Sequence, residues 1–256
     1  MRGVVFLFAC GLAGQDTSAI TTAAARFAET APKFMALEKL SQRARSGERF
    51  DERHMVAYYG FSTLRNSPGL IELRQLVSVD GKAVAGNEEA RKFLRDALFS
   101  SDDGLKNKML GAFAKEGLTG VATDFGQLIL LFGSGRIQDF SFQYDHDDSI
   151  GSLQTQVFNY AQKTGHEGVR VEGGRKREPL RGKIWVRLPD HVPVRITLAT
   201  SRNNHGVKTR DEAQVDYAEY KGVLLPAGVL HRQFENDDIV AQDTYEYAAW
   251  QPVNPK

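Results

Sequence analysis

The sequence is poor in the residues that most often carry chemistry. It has one cysteine, Cys10, in 256 residues. No internal disulfide can form, and no cysteine cluster can hold a metal. No stretch approaches the ~20 consecutive apolar residues a membrane-spanning helix needs. Charge of one sign is also missing: 33 Lys and Arg face 32 Asp and Glu. A chain so balanced has no bulk pull toward nucleic acid or an anionic membrane surface. There is no Walker phosphate loop and no dinucleotide fingerprint. Gly133, Ser134 and Gly135 fall short of a nucleophile elbow, and no two histidines stand at His-x-x-x-His spacing. No cofactor is expected. What is present is an ordinary globular composition, 41% hydrophobic and 25% charged. At this length a single domain buries roughly 70% or more of its unfolded surface, with no need of a covalent staple.

The first fourteen residues differ from the rest. Arg2 precedes an apolar run from Val4 to Ala13, and Gly11, Leu12 and Ala13 form a small-x-small site before the polar Gln15 and Asp16. This is the pattern of a short secretory signal peptide over 1–14, which leaves 15–256 as one domain. Without Arg2 the remaining chain is neutral. Leu7 to Cys10 loosely matches a lipobox, the alternative in which Cys10 is acylated.

The C-terminal third is the most regular part. Ile184, Val186 and Leu188 take one parity while Lys183, Trp185 and Arg187 take the other. Val194, Ile196 and Leu198 then alternate with Arg195 and Thr197. A period of two predicts strands with one buried face. Turn residues at Pro189–His191, Lys221–Gly222 and Asn236–Asp238 separate them, so an antiparallel meander is expected.

Upstream, Thr17 to Ala31 is alanine-rich and reads as a helix closed by Pro32. Phe34 to Arg43 fits a helical face or an extended strand equally. Arg53–Thr63 and Leu70–Val79 read as strands, and Asp80–Gly81 as a tight hairpin turn. A helical insert is expected over 87–132. Asn87 is the expected cap of Glu88–Leu98, Ser101 caps a second helix ending near Gly117, and Thr123 caps a third over Asp124–Phe132. Strands are expected again at Ile137–Tyr144, Leu153–Gln162 and Gly168–Val171.

The densest set of candidate metal ligands is Asp145, His146, Asp147 and Asp148. Neither an EF-hand spacing nor a second zinc-spaced histidine accompanies it, so a solvated turn between strands is expected there. A hydrolase or metal centre built on His146 with Asp145 and Asp148 requires them to converge in a cleft with another histidine. The single histidines, His231 among them, read as surface or edge residues. Arg175, Lys176 and Arg177 read as a hairpin tip.

The order of elements, with Gly182-Lys-Ile-Trp-Val-Arg-Leu188, Pro193-Val-Arg-Ile196 and the aromatic strand ending at Gly222-Val-Leu-Leu-Pro226, resembles the lipoprotein-carrier (LolA/LolB-like) superfamily of bacterial envelope proteins. The resemblance is carried mainly by residues 136–250. It implies an α+β fold: a curved antiparallel β-sheet, or unclosed β-barrel, of about ten strands with helices on its concave face. It further implies a non-catalytic periplasmic protein that binds a lipid or lipoprotein acyl chain. An envelope protein partner is the alternative, on a scaffold with a filled core. Burying one methylene of an acyl tail gains about 0.8 kcal/mol, so an apolar groove needs no charged contact to bind one. The apolar parity nominates Phe140, Phe142, Ile184, Val186, Val194, Ile196 and Leu198 from the sheet, with Leu128, Ile129 and Phe132 from the covering segment. Parity alone does not distinguish a lined groove from a dry, filled core.

Overall fold

The computed structural model describes residues 14–65, 67, 69–118, 124–163, 169–170, 177–204 and 206–254. The expected signal segment, apart from Gly14, lies outside the described residues, as do Cys10, Thr123, Arg175 and Lys176. Helix α1 (Gly14–Thr30) leads through a 3₁₀ turn (Ala31–Lys33) into strands β1 (Phe34–Ser46), β2 (Arg49–Ser62), β3 (Ile71–Val79) and β4 (Lys82–Ala83). Helices α2 (Asn87–Leu98) and α3 (Asp103–Glu116) follow, then 3₁₀ turns at Leu128–Phe132 and Ile137–Asp139. The chain continues as β5 (Phe140–Ile150), β6 (Leu153–Gln162), β7 (Val169–Arg170), β8 (Arg177–Glu178), β9 (Arg181–Arg187), β10 (Pro193–Asn204), β11 (Val207–Tyr220), β12 (Val223–Glu235) and β13 (Asp238–Pro252).

Eleven strands form one unclosed antiparallel sheet in the order β4-β3-β2-β1-β13-β12-β11-β10-β9-β6-β5, and β7 pairs with β8 apart from it. The chain starts at the middle of the sheet, runs to one edge, crosses to the other by way of the helices, and meanders back until β13 lies beside β1. Three two-residue reversals hold this meander tight. Asp80–Gly81, Lys221–Gly222 and Asn236–Asp237 all have positive φ at both positions, the geometry whose twist matches paired strands.

Register puts the predicted apolar parity on one face. A row runs Tyr144, Phe158, Ile184, Ile196, Val215, Val229, Tyr245, Leu40, Met55, Val79, each directly opposite the next on neighbouring strands. Every member belongs to the main core or packs against it. A one-residue slip anywhere in this row would send a whole strand's apolar side chains into water, so each pairing fixes the next. Helix α1 lies on this inner, concave face through Ile20, Ala24 and Phe27, a spacing of one helical stripe, and Ala31 of the following 3₁₀ turn continues it.

Phe34–Arg43, open between helix and strand in the sequence, is strand: Leu40 and Ala44 alternate with exposed positions. Several expectations are corrected. The third helix is absent: of Asp124–Phe132 only Leu128–Phe132 is helical, as a 3₁₀ turn, too short and too apolar to stand except against the core. Gly86 and not Asn87 caps α2, with no side-chain bond. Asp102 and not Ser101 caps α3, its carboxylate accepting from Gly104 N and Leu105 N at 2.9 and 3.2 Å. Asp145–Asp148 lies inside β5, and the reversal comes at 151–152. The helical insert does not all sit on the concave face. Leu94, Ala97 and Leu98 of α2 pack on the opposite face with Met35, Ile71 and Leu73. Gly60 makes room there, since a Cβ on it would stand 3.0 Å from Leu98 Cδ1. Helix α3 straddles the β3 edge, giving Met109 to the outer cluster and Phe113 to the inner one.

Candidate functional site

The inner face divides into an apolar part, a polar part and a mouth. In the apolar part Phe132 is the hub: its ring meets Phe140 at 5.3 Å, Phe142 at 5.6 Å and Tyr160 at 5.0 Å. Aromatic pairs at such separations add about 0.5–1.5 kcal/mol each beyond area burial. Phe27 of α1 stands edge-on to Phe61 at 5.2 Å and to Tyr217 at 6.3 Å. The backbone N–H of Ile129 donates to the Tyr217 hydroxyl at 3.0 Å, so one strand residue holds both roof segments. The Tyr160 hydroxyl donates to Thr197 O at 2.6 Å, across Gly182. Burial raises both phenols above their ordinary pKa.

Nine of the ten nominated residues come together here. Leu128, Ile129, Phe132, Phe140, Ile184, Val186 and Ile196 are buried in the inner cluster, and Phe142 and Leu198 pack against it half-buried. Val194 is buried but stands outside that cluster. Ile129, Phe132, Ile184, Val186 and Ile196 line none of the described cavities. Leu198 lines an open cavity of about 550 Å³ with Tyr160, Gly182 and Trp185, and a mouth of about 310 Å³ opens between α1 and the β9–β10 and β11–β12 turns. Ala19, Ala23, Phe27, Val192 and Leu224 give it an apolar wall, and Arg187 closes one side, paired with Asp190 and Glu219.

The polar part escaped sequence reasoning. Glu38, Glu72 and Arg74 are buried on the inner face beneath Phe113, Tyr59 and Tyr245. Arg74 Nε donates to Glu38 Oε1 at 2.8 Å, and Nη2 donates to Glu72 Oε2 at 2.9 Å. Burial, only partly offset by Arg74, pushes the Glu72 carboxyl up to about 7. Glu72 Oε1 accepts from Gln127 N at 3.2 Å, tying down the segment that leads into the 3₁₀ roof. Beside it His231 Nδ1 meets Asp243 Oδ2 at 3.0 Å, and Gln42 Nε2 donates to Asp243 Oδ1 at 2.8 Å. His231 is therefore buried and ion-paired, a correction to its reading as an edge residue. The missed signal was parity: Glu38 alternates in phase with Leu40, and Arg74 with Leu76.

Among the described residues, the acidic set on β5 does not converge on a second histidine. His146 Nδ1 lies 3.1 Å from Asp145, which also takes Lys183 Nζ at 2.7 Å, while Asp148 accepts from the Trp185 indole N–H at 2.9 Å. These contacts hold both aspartates below the usual carboxylate range. Among the described residues, no group of three His, Cys, Asp or Glu is placed to hold a metal ion. No helix among them is long and apolar enough to cross a membrane.

No protein-family model matches this sequence, and no curated protein matches it. The chain is similar to several solved proteins. A lipoprotein-sorting protein domain of the outer membrane from Vibrio parahaemolyticus shares 9% identity over 92% of this chain and 91% of that one, with a TM-score of 0.41. A LolA superfamily protein from Nitrosomonas europaea shares 7% over 94% of each chain, TM-score 0.37. The Mycobacterium tuberculosis lipoprotein LppX shares 11% over 94% of this chain and 99% of that one, TM-score 0.32. The similarity concerns the fold alone.

Proposed function

We propose that this chain is an exported envelope protein that holds an acyl chain of a lipid or lipoprotein against the inner face of its sheet, without catalysis. The observation that carries the reading is a continuous apolar row across ten strands, roofed by a helix and a single 3₁₀ turn, with a mouth at the edge of that roof that has one apolar wall and one charged wall. An acyl chain would enter beneath α1, between Ala23 and Leu224, and take the place of roof side chains on the sheet. The mouth alone has room for roughly ten groups at ~30 Å³ each, and each methylene removed from water is worth about 0.8 kcal/mol. The gross gain is about 8 kcal/mol, from which the cost of displacing roof side chains is subtracted.

Two measurements test it. Organic extracts of the protein purified from native envelope should contain lipid by mass spectrometry, and a fluorescent fatty acid should bind and be displaced by unlabelled fatty acid. Ala23→Trp, which fills the mouth, should weaken that binding tenfold or more. Absence of both lipid and fatty-acid binding sinks the reading. A protein-interaction or stress-sensing module with a filled core then stands in its place, and the close packing of Ile129, Phe132 and Ile184 favours that second reading.

A further inference from the structure

The open cavity of about 550 Å³ lies on the outer face of the sheet. Lys183, Trp185, Thr197, Gln214, Leu230 and Arg232 in its wall are out of phase with Ile184, Ile196, Val215 and Val229, which fill the inner core. Tyr160 and Leu198, which pack on that core, also border it. Helix α2 covers the outer face over β2 and β3, on the other half of the sheet. Small side chains, Thr197 and Ala199, occupy the centre of the cavity, and the long ones around them are each bonded to a partner that does not line it. Lys183 Nζ donates to Asp145 at 2.7 Å, Arg181 Nη2 to Ser201 Oγ at 3.0 Å, and Arg232 Nε to Gln242 Oε1 at 3.2 Å. Asp148 holds the Trp185 indole N–H at 2.9 Å, and Arg210 holds the Glu212 carboxylate at 3.4 Å. The seat is therefore shaped before anything enters it, which lowers the cost of binding.

The charge and length of the occupant follow from the register. Arg181, Lys183 and Arg232 stand in this wall against Glu212 alone. Among the described residues, neither Arg181 nor Arg232 has a carboxylate partner. Arg181 lies opposite Ala199, Ala199 opposite Glu212, and Glu212 opposite Arg232. Three strand steps thus separate the two arginines, about 14 Å at ~4.8 Å each. In an extended chain, the residues two before and two after a given one share its side and lie about 14 Å apart. We propose that this face docks an extended segment of a partner protein in which an aromatic residue has an acidic residue two positions before it and another two positions after. The acids meet Arg181 and Arg232, and the ring sits over Thr197 and Ala199 between Trp185 and Leu230. An apolar centre ringed by charge is the usual anatomy of a protein interface.

The test is an NMR titration of the whole protein with the peptide acetyl-Ser-Glu-Ser-Phe-Ser-Glu-Ser-amide, read at backbone amides and at the Trp185 indole N–H. Saturable shifts are expected at Lys183, Trp185, Ala199 and Gln214. Glutamine in place of both glutamates should weaken binding about fivefold, the factor expected of two exposed ion pairs, and added salt should narrow that difference. Alanine in place of the phenylalanine should weaken it about tenfold or more. Arg181→Glu/Arg232→Glu should invert the preference, so that the same peptide with lysine for glutamate binds more tightly. Ala199→Phe, which fills the seat, should abolish the shifts. The proposal is overturned if no saturable shift appears at these residues with millimolar peptide, if the glutamine peptide binds as tightly, or if the charge-reversed variant keeps the original preference. Tighter binding of chitotetraose at the same residues equally overturns it, since the occupant is then a neutral glycan and not an acidic segment.

Discussion

Replacing Arg74 with methionine should destabilise the protein strongly at pH 8 and far less at pH 5. Methionine fills much of the same volume beneath Phe113 and Tyr59, so the change is chiefly electrical. It strands Glu38 and Glu72, both about 1% exposed, with no cation between them. Removing one partner of a buried ion pair costs about 3–5 kcal/mol. The wild-type protein already shows the tension. Glu72 is raised from 4.5 to about 7 by burial. Its contribution to stability is therefore fully present below pH 4.5 and lost as pH rises through 7. A shift of that size is worth roughly 3 kcal/mol at about 1.4 kcal/mol per pH unit. In Arg74→Met the Glu72 carboxyl can be carried as a neutral acid at pH 5, and the penalty should fall to half or less. Urea unfolding of wild type, Arg74→Met and the triple variant Arg74→Met/Glu38→Gln/Glu72→Gln, at pH 5 and pH 8, measures this directly. The triple variant should return to within about 1 kcal/mol of wild type at pH 8, since a buried charged set replaced as a whole is often neutral in stability. A cost below about 1 kcal/mol at pH 8, or an equal cost at both pH values, refutes the account.

Two further outcomes are expected. Gly182→Ala would put a Cβ 2.7 Å from the Thr197 carbonyl carbon and 2.9 Å from the Tyr160 hydroxyl; it should part β9 from β10, break the Tyr160 hydrogen bond and cost about 2–4 kcal/mol, read as a lowered denaturation midpoint. Burial works against the charge on His231, but hydrogen bonds to Asp211 and Asp243 outweigh it and raise its pKa from 6.5 to about 9. Its stabilisation is thus complete below pH 6.5 and lost as pH rises through 9, by up to about 3 kcal/mol, and His231→Gln should flatten the stability curve between pH 7.5 and 9.5.

The C-terminal meander was legible because Ile184, Ile196, Val215 and Tyr245 obey a period of two between unambiguous turns. The roof segment was misread for a physical reason. Leu128–Phe132 is apolar all round, a composition that propensity assigns to a helix and that five residues in a tight pocket satisfy as a 3₁₀ turn. The side of the sheet that α2 covers could not be read either. Its apolar stripe shows that it packs, while the partner face is set by Met35, Ile71 and Leu73, which sit out of phase with the inner parity. Glu38, Glu72 and Arg74 were invisible because charge usually marks a wetted position. Only their pairing across β1 and β3 makes them compatible with burial.

The adjacency of β1 and β13 also governs when the molecule can exist. Their register, Leu40 against Tyr245 and Gln42 against Asp243, joins stretches of chain about two hundred residues apart, so the seam at the heart of the sheet is sewn last. Until the final strand is delivered, β1 has a naked margin and the two flanks are separate ribbons. Contacts of such sequence separation form slowly. A chain emerging from a ribosome or threading a narrow channel would stay pliable until its tail arrives, then knit from both sides toward the centre.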